Sequence, residues 1–315
     1  MANRPDLPGQ PKDEIIDDVS RRLRGYRMIR DASDYVKKHI SRQPPVQRFF
    51  SFMPTMLTRV SPFHLRGRIK ADSWPLVRLD SGEANSWGRM RVIGELLVIF
   101  DETVLFSVLA LMSKNRSDAF TTNLDDIRRL AKMPDAPSAS GSIWQSIRRL
   151  AGTRIDLELT SGKGRKKKSH KELVGSILSF ADLNREDGSL QIIVNPYFLE
   201  LYAESFVTNI DLQFRAGLKS DLSKALYRFY QGQYHLESEI DMLRLARAVN
   251  LETHREPSKL RTKIRKGLRE LEEKGYFEQT QIDKNRMVCT HKSTDTAVRK
   301  ETQILAPDSA LAGTV

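Results

Sequence analysis

Apolar positions along this chain fall at helical intervals in two separate stretches, and each stretch ends in sequence of strand character. The first runs from about Asp101 to Phe180. Val104, Leu105, Val108, Leu111 and Met112 recur at the three- and four-residue spacing that gathers one stripe on a helix. Thr122 or Asn123 offers a capping oxygen to a second helix, whose Leu124, Ile127 and Leu130 face inward. The run MPDAPSASGS reads as a breaker. Beyond it Ile143, Ile147 and Leu150 mark a third helix over Ile143–Ala151. RIDLEL (Arg154–Leu159) and ELVGSILSF (Glu172–Phe180) then read as two strands of a hairpin.

The second stretch, from about Leu218 to His291, repeats this order. Leu218, Leu222, Ala225, Leu226 and Phe229 mark a helix over Ser220–Tyr230, and Ile240, Leu243, Ala246 and Val249 mark the next. Leu260, Ile264, Leu268 and Leu271 share one face of a third helix over Ser258–Lys274. GYFEQTQI and RMVCTH follow as a hairpin turning at Asp283–Asn285. Helices followed by a hairpin, twice in one chain, predict an α+β fold of tandem winged-helix DNA-binding domains.

The flanks complete the plan. Residues 1–45 are polar and framed by prolines, which predicts a flexible arm with a short helix at Asp13–Arg24. Phe49–Arg68 is more apolar and is expected to pack on the first domain, and Arg89–Phe100 reads as a hairpin turning near Gly94 and Glu95. Residues 190–215 contain a strand, a short helix and further extended sequence. The expected domains are 46–215 and 216–292, with a flexible tail at 293–315. No Gly/Pro-rich linker separates the two domains, so they should touch.

Charge sharpens this picture. A formal net charge of +12 over 315 residues favours a polyanionic partner, although charge alone does not separate DNA from RNA or an anionic membrane. The strongest apolar run, Leu96–Phe100, is far too short to span a bilayer, so no membrane contact is expected. The N-terminal MANRPDLPGQPKDE does not read as a secretory signal. The single cysteine, Cys289, admits no internal disulfide, and a reducing cytoplasm fits.

The cations are concentrated. Between the two strands of the first hairpin, six of the eleven residues of SGKGRKKKSHK are Lys or Arg. Lys163, Arg165, Lys166, Lys167 and Lys168 would form the tip of a wing that reaches the DNA backbone or minor groove. The competing reading is a solvated or localisation-type loop. On the last helix Arg261, Arg265 and Arg269 recur every four residues, with Lys259, Lys263 and Lys266 around them. Glu270, Glu272 and Glu273 lie towards its C-terminal end, which makes the N-terminal half the DNA-facing part. Lys284 and Arg286 sit near the tip of the second wing. Arginine suits bidentate guanine recognition better than lysine, which favours Arg261 and Arg265 for base readout.

Catalytic patterns do not emerge. The six histidines are scattered, with neither HxH nor HExxH spacing, so no metal site is expected. Tyr227 and Tyr230 lie on a helix with apolar periodicity and no evident activating base, so packing outweighs a nucleophilic role. GKGRK lacks P-loop spacing, and Asp125 and Asp126 suit a helix start better than a metal pair. A non-enzymatic protein without a cofactor is the expectation.

Several segments resemble plasmid replication initiators of the TrfA/RepA-like type over roughly residues 45–291. They are MPTMLTRVSPF, FDETVLFSVLALM, LSKALYRFYQGQ and KLRTKIRKGLRELEEKGYF. The resemblance implies tandem winged helices that bind repeated origin sites (iterons) in double-stranded DNA, promote origin opening and help recruit a host replication initiator and helicase. It also implies self-association as a dimer with a DNA-active monomer. By this pattern Ser258–Arg269, Ser258 and Thr262 included, would be the main base-reading helix. Ser142, Gln145, Arg148 and Arg149 would be its weaker first-domain counterpart. The alternatives are a winged-helix transcriptional repressor or partition-type protein, and, further off, an RNA-binding or interaction protein lacking common RNA-binding motifs.

Overall fold

The structure, a computed structural model, describes residues 23–34, 50–59, 61–65, 76–80, 89–161, 168–204, 207–233, 235–252 and 256–293. In chain order its elements begin with α1 (residues 23–34), β1 (Phe50–Pro54), α2 (Thr55–Arg59), β2 (Leu76–Asp80) and β3 (Arg89–Glu95). There follow α3 (Ile99–Asn115), β4 (Ala119–Asn123), α4 (Leu124–Leu130), α5 (Pro137–Gly152), β5 (Arg154–Ser161), β6 (Lys168–Ser176), β7 (Leu178–Leu183) and β8 (Ser189–Val194). The remainder comprises α6 (Pro196–Glu204), β9 (Val207–Asp211), α7 (Leu212–Ala216), α8 (Asp221–Gln231), β10 (Glu237–Asp241), α9 (Met242–Ala248), α10 (Pro257–Glu273), β11 (Phe277–Ile282) and β12 (Met287–Lys292).

Two units share one plan. The series α3-β4-α4-α5-β7-β8 and α8-β10-α9-α10-β11-β12 each place three helices beside a three-stranded antiparallel sheet. Strand order is β4-β8-β7 in one and β10-β12-β11 in the other. The short strand after the first helix pairs with the last strand in both, as at Thr121↔Gln191 and Glu239↔Cys289. Both units are winged helices. The periodic apolar positions form their cores: Ile143, Ile147 and Leu150 are buried on α5, and Leu260, Ile264, Leu268 and Leu271 are buried on α10. Each such side chain contributes roughly 2 kcal/mol by leaving water. Gly267 lets α10 lie close to α8, since an added Cβ would stand 2.8 Å from Leu226 Cδ1.

The predicted first wing is corrected by the sheet topology. β5 and β6 do pair as an antiparallel ribbon, but they extend a separate four-stranded sheet of order β2-β3-β5-β6. The wing of the first unit is β7–β8, turning through residues 184–188. ELVGSILSF, expected as one strand, breaks at buried Ile177, whose carbonyl accepts the Asn195 N–H at 2.9 Å. β6 ends in one sheet there and β7 begins the next.

Other boundaries move for local reasons. Arg89–Phe100 is not a hairpin: Arg89–Glu95 is one strand between β2 and β5, and the chain then enters α3. α3 starts at Ile99, two residues early, because the Asp101 carboxylate accepts the Val98 N–H at 2.9 Å. PSASGS, read as a breaker, forms the opening of α5 with Pro137 in the first turn, where no amide hydrogen is required. Ile240 belongs to β10, and Asp241 caps α9 by accepting from the Leu243 and Arg244 amides. The Asn123 cap lies where the sequence places it, and Ser220, expected as the first residue of its helix, caps α8 instead.

The expected flexible arm is ordered in part. Residues 23–34 form α1, with Met28, Ile29 and Ala32 buried, and the Asp118 N–H donates to the Tyr26 hydroxyl at 3.0 Å. The rest of residues 1–45 and nearly all of 293–315 lie outside the described residues.

The units meet through α2, β1 and β9. β1 and β9 pair antiparallel, Phe50 opposite Asp211. Arg59 on α2 donates to the Gly232 carbonyl at 3.0 and 3.2 Å, and a Cβ at Gly232 would lie 1.7 Å from Thr58 Oγ1, so only glycine permits this approach. At the centre Glu102 of α3 accepts from Arg215 of α7 at 2.5 Å and from Arg228 of α8. All three side chains are buried.

Glu270 ties α10 to α8. It accepts from Ser223 Oγ at 2.6 Å, the Ser220 N–H at 3.2 Å and the Lys219 N–H. Burial opposes ionisation here, but these hydrogen bonds prevail and hold the carboxyl below its ordinary value. Its contribution is therefore complete above the unfolded value of about 4.3 and is lost as pH falls through the lowered folded value. Glu270→Gln should lower stability by about 1 kcal/mol at neutral pH in urea titrations. The gap to wild type should close as pH falls through the folded value, and a pH-independent gap would contradict this account.

Candidate nucleic-acid interface

α10 presents the larger cationic face. With Leu260, Ile264, Gly267, Leu268 and Leu271 turned inward, Ser258, Lys259, Thr262, Lys263, Arg265, Lys266 and Arg269 are exposed. Lys259 pairs with Glu256 at 3.3 Å, and Thr262 donates to the Ser258 carbonyl at 3.0 Å. Among the described residues Lys263, Arg265, Lys266 and Arg269 have no carboxylate partner. The acidic end of the helix is largely committed elsewhere: Glu270 holds α8, and Glu272 accepts from the Thr280 amide and hydroxyl at 3.1 and 3.2 Å.

Arg261 differs from its neighbours at four-residue spacing. It is half-buried and its Nη2 donates to the Asp283 carbonyl at 3.0 Å, fastening the second wing to α10. Asp283 also accepts the Met287 N–H at 2.7 Å through its side chain, and this turn leaves Lys284 and Arg286 exposed beside the helix. Arg265 thus keeps the free guanidinium that base readout requires, whereas that of Arg261 is engaged by the wing.

On α5 the exposed positions Ser138, Gly141, Ser142, Gln145 and Arg148 line one face. Small side chains over its first turns permit a close approach by another surface. Arg149 does not join them. It is 7% exposed and turns inward, its Nη2 donating to Asp101 Oδ1 at 2.6 Å and its Nε to the same carboxylate at 3.1 and 3.2 Å. Expected as an outward contact, Arg149 instead fastens α5 to α3. The neighbouring α4 is electrically balanced: Arg128 and Arg129 pair with Asp125 at 2.6 and 3.1 Å, and Arg129 with Asp126 at 2.5 Å.

The first wing has little to offer an anion. Its turn, residues 184–188, exposes Arg185 beside Glu186 and Asp187. Lys163, Arg165, Lys166 and Lys167 lie outside the described residues, and of Lys168 only the backbone, at the start of β6, is described. Arg244 and Arg247 are also exposed, on α9, and no motif in the sequence marks them. Tyr227 and Tyr230 are fully buried: the Tyr227 hydroxyl accepts the Asp211 N–H at 3.1 Å, and burial pushes the Tyr230 phenol up. No helix among the described residues is long and apolar enough to cross a membrane, and none of their His, Cys, Asp and Glu side chains group as metal ligands.

The two adjacent arginines of α5 should therefore behave oppositely. Arg149→Ala strands the Asp101 carboxylate in the core and should cost about 3 kcal/mol in chemical denaturation. Arg148→Ala should leave stability within about 0.5 kcal/mol of wild type. Equal losses from the two substitutions would contradict the orientation described here.

Residues 95–231, from the end of β3 through α8, match the family model described as "Initiator Replication protein, WH1". Domains 2 and 3 of RctB share the fold, with a TM-score of 0.52 and 13% identity over 76% of this chain and 99% of that one. The Pi initiator protein, solved in complex with iteron DNA, aligns at a TM-score of 0.44 with 17% identity, covering 62% of this chain and 92% of that one. No curated protein matches the sequence. Over residues 95–231 this chain is similar to the WH1 domain of the initiator replication proteins.

Proposed function

We propose that this protein is a plasmid replication initiator that binds repeated origin sites in duplex DNA through both winged helices. The observation that carries the reading is the cationic face of α10, where Lys263, Arg265, Lys266 and Arg269 have no carboxylate partner among the described residues, in a chain whose other winged helix matches the initiator WH1 model. A helix with one buried and one cationic side suits the major groove, where its lysines displace counterions from phosphates. Arg265, exposed and without a carboxylate partner among the described residues, is the candidate for bidentate contact with guanine. Lys263, Lys266, Lys284 and Arg286 flank it and serve the backbone. On the first unit Ser142, Gln145 and Arg148 form the corresponding contact, with Lys163, Arg165, Lys166 and Lys167 as further cations for the backbone.

Several protomers on neighbouring repeats would strain the duplex, and an adjacent AT-rich tract would open most readily. Recruitment of a host replication initiator and helicase, a dimer that yields DNA-active monomers, action in the cytoplasm and the lack of a catalytic role belong to the same proposal. They rest on the family resemblance.

Footprinting the purified protein on DNA flanking its own gene tests this reading. Regularly spaced protections, with single-strand reactivity in neighbouring AT-rich DNA, are expected. One protected operator without distortion would point to a repressor instead. Arg265→Ala should weaken cognate binding by about tenfold to a hundredfold, and nonspecific binding much less. Equal losses would make Arg265 a phosphate contact. Lys263→Ala should weaken both alike and reduce the salt slope by about one.

A further inference from the structure

The junction between the winged helices contains a buried carboxylate that holds two arginines. Glu102 Oε2 accepts from Arg215 Nη2 at 2.5 Å, while Oε1 accepts from Arg228 Nη1. Arg215 also donates to Thr103 Oγ1 at 2.6 Å and stands 5.0 Å from the Phe106 ring centroid. Arg228 Nε reaches the Thr58 carbonyl at 3.4 Å. Two donor nitrogens of this buried cluster, Arg215 Nε and Arg228 Nη2, have no partner among the described residues. A cluster with two cations, one anion and incomplete hydrogen bonding is a poor device for stability alone, since apolar residues of similar volume often serve as well or better. Its distinguishing property is direction. Apolar surfaces tolerate sliding, whereas a carboxylate gripping two guanidiniums has one register.

Glu102 also lies next to Asp101, which holds Arg149 of α5. On the other side α8, which carries Arg228, is fastened to α10 by Glu270. Contacts between charged side chains and their partners therefore run from one exposed helix to the other, α5 to α3 to α8 to α10, and Glu102 is the link between the units.

We propose that Glu102 is a positioning residue: by holding Arg215 and Arg228 it sets the offset, in base pairs, at which α5 and α10 meet one duplex. This rests on the reading that both units contact the same DNA. One added base pair moves a half-site by about 3.4 Å and turns it by roughly 35°. A fixed pair of helices accepts a single offset, and a loosened pair accepts several.

The test compares wild type with Glu102→Gln and with the triple variant Glu102→Met/Arg215→Met/Arg228→Met. Methionine matches glutamate in length, replaces the apolar stem of each arginine and imposes no direction, so the triple variant remains testable if the single one fails to fold. The probes are duplexes selected by wild type from a randomised pool, with one or two base pairs then inserted or deleted between the protected halves. Spin labels at Arg185 and Lys274, on a Cys289→Ser background, report the distance between units without DNA. Wild type should lose about tenfold or more in affinity per shifted base pair, and the triple variant less than about threefold, with a broadened distance distribution. A triple variant with the wild-type offset preference and a narrow distribution would overturn the role of Glu102. Indifference of wild type itself to the offset would instead overturn the reading that both units contact one duplex, and the positioning role with it.

Discussion

Two neighbouring carboxylates in the first turn of α3 govern how the molecule is put together. Asp101 accepts the Val98 amide that starts the helix and, with the same group, the Arg149 guanidinium that seats α5. Glu102 points the other way, into the junction, and receives Arg215 and Arg228 from the second half of the chain. Both acidic side chains are fully buried, so neither is satisfied by water. An unpaired carboxylate at that depth is costly enough that the arginines must come to it. The start of one helix thereby fixes the seat of α5 and the docking of the second winged helix. Burial pulls the Arg215 guanidinium below its ordinary pKa, and Glu102 works against that pull, which is what keeps a cation inside this junction.

A strongly basic composition therefore gives a misleading first impression of where the cations act. Arg149, Arg215 and Arg228 are internal, Arg128 and Arg129 are balanced within α4, and Arg261 fastens a wing. What remains facing outward on the third helix of each unit is Arg148 on α5 and a compact group on α10. On these two helices the outward charge is smaller than the composition suggests and gathered mainly on α10, and a gathered charge is what a docking surface needs.

The sequence made the helices and their buried faces legible because amphipathic spacing is a local property. The stripes on α3, α5, α8 and α10 and the caps at Asn123 and Ser220 follow from neighbouring residues alone. Sheet membership does not. The run ELVGSILSF is apolar throughout, and only the pairing of β6 with β5 and of β7 with β8 shows that it serves two sheets. The same locality explains Arg148 and Arg149. Both border the apolar stripe of α5, and the one that turns inward is chosen by Asp101, forty-eight residues earlier. The engagement of Arg261 with the wing is invisible in the sequence for a related reason: its partner is a backbone carbonyl in a turn, which has no sequence signature.

The duplicated topology also separates what the fold requires from what each copy does with it. Both units need a buried face on the third helix, a first helix to pack it against and a hairpin beside it, and both have them. Their outward faces are not alike. α10 exposes Lys263, Arg265, Lys266 and Arg269 on a helix that also anchors its wing, whereas α5 exposes Ser138, Gly141, Ser142 and Gln145 before reaching Arg148. Long cationic side chains act on phosphates from a distance and lose strength as salt rises, while small residues allow backbone and short polar groups to come close. The wings differ in the same sense, since Lys284 and Arg286 flank the second turn and Glu186 and Asp187 occupy the first. Such a pair is poorly suited to acting as two interchangeable readers. It is suited to one strongly attracted unit and one whose contact depends on being delivered to the right place, which is why the register held by Glu102 matters more here than it would between equal halves.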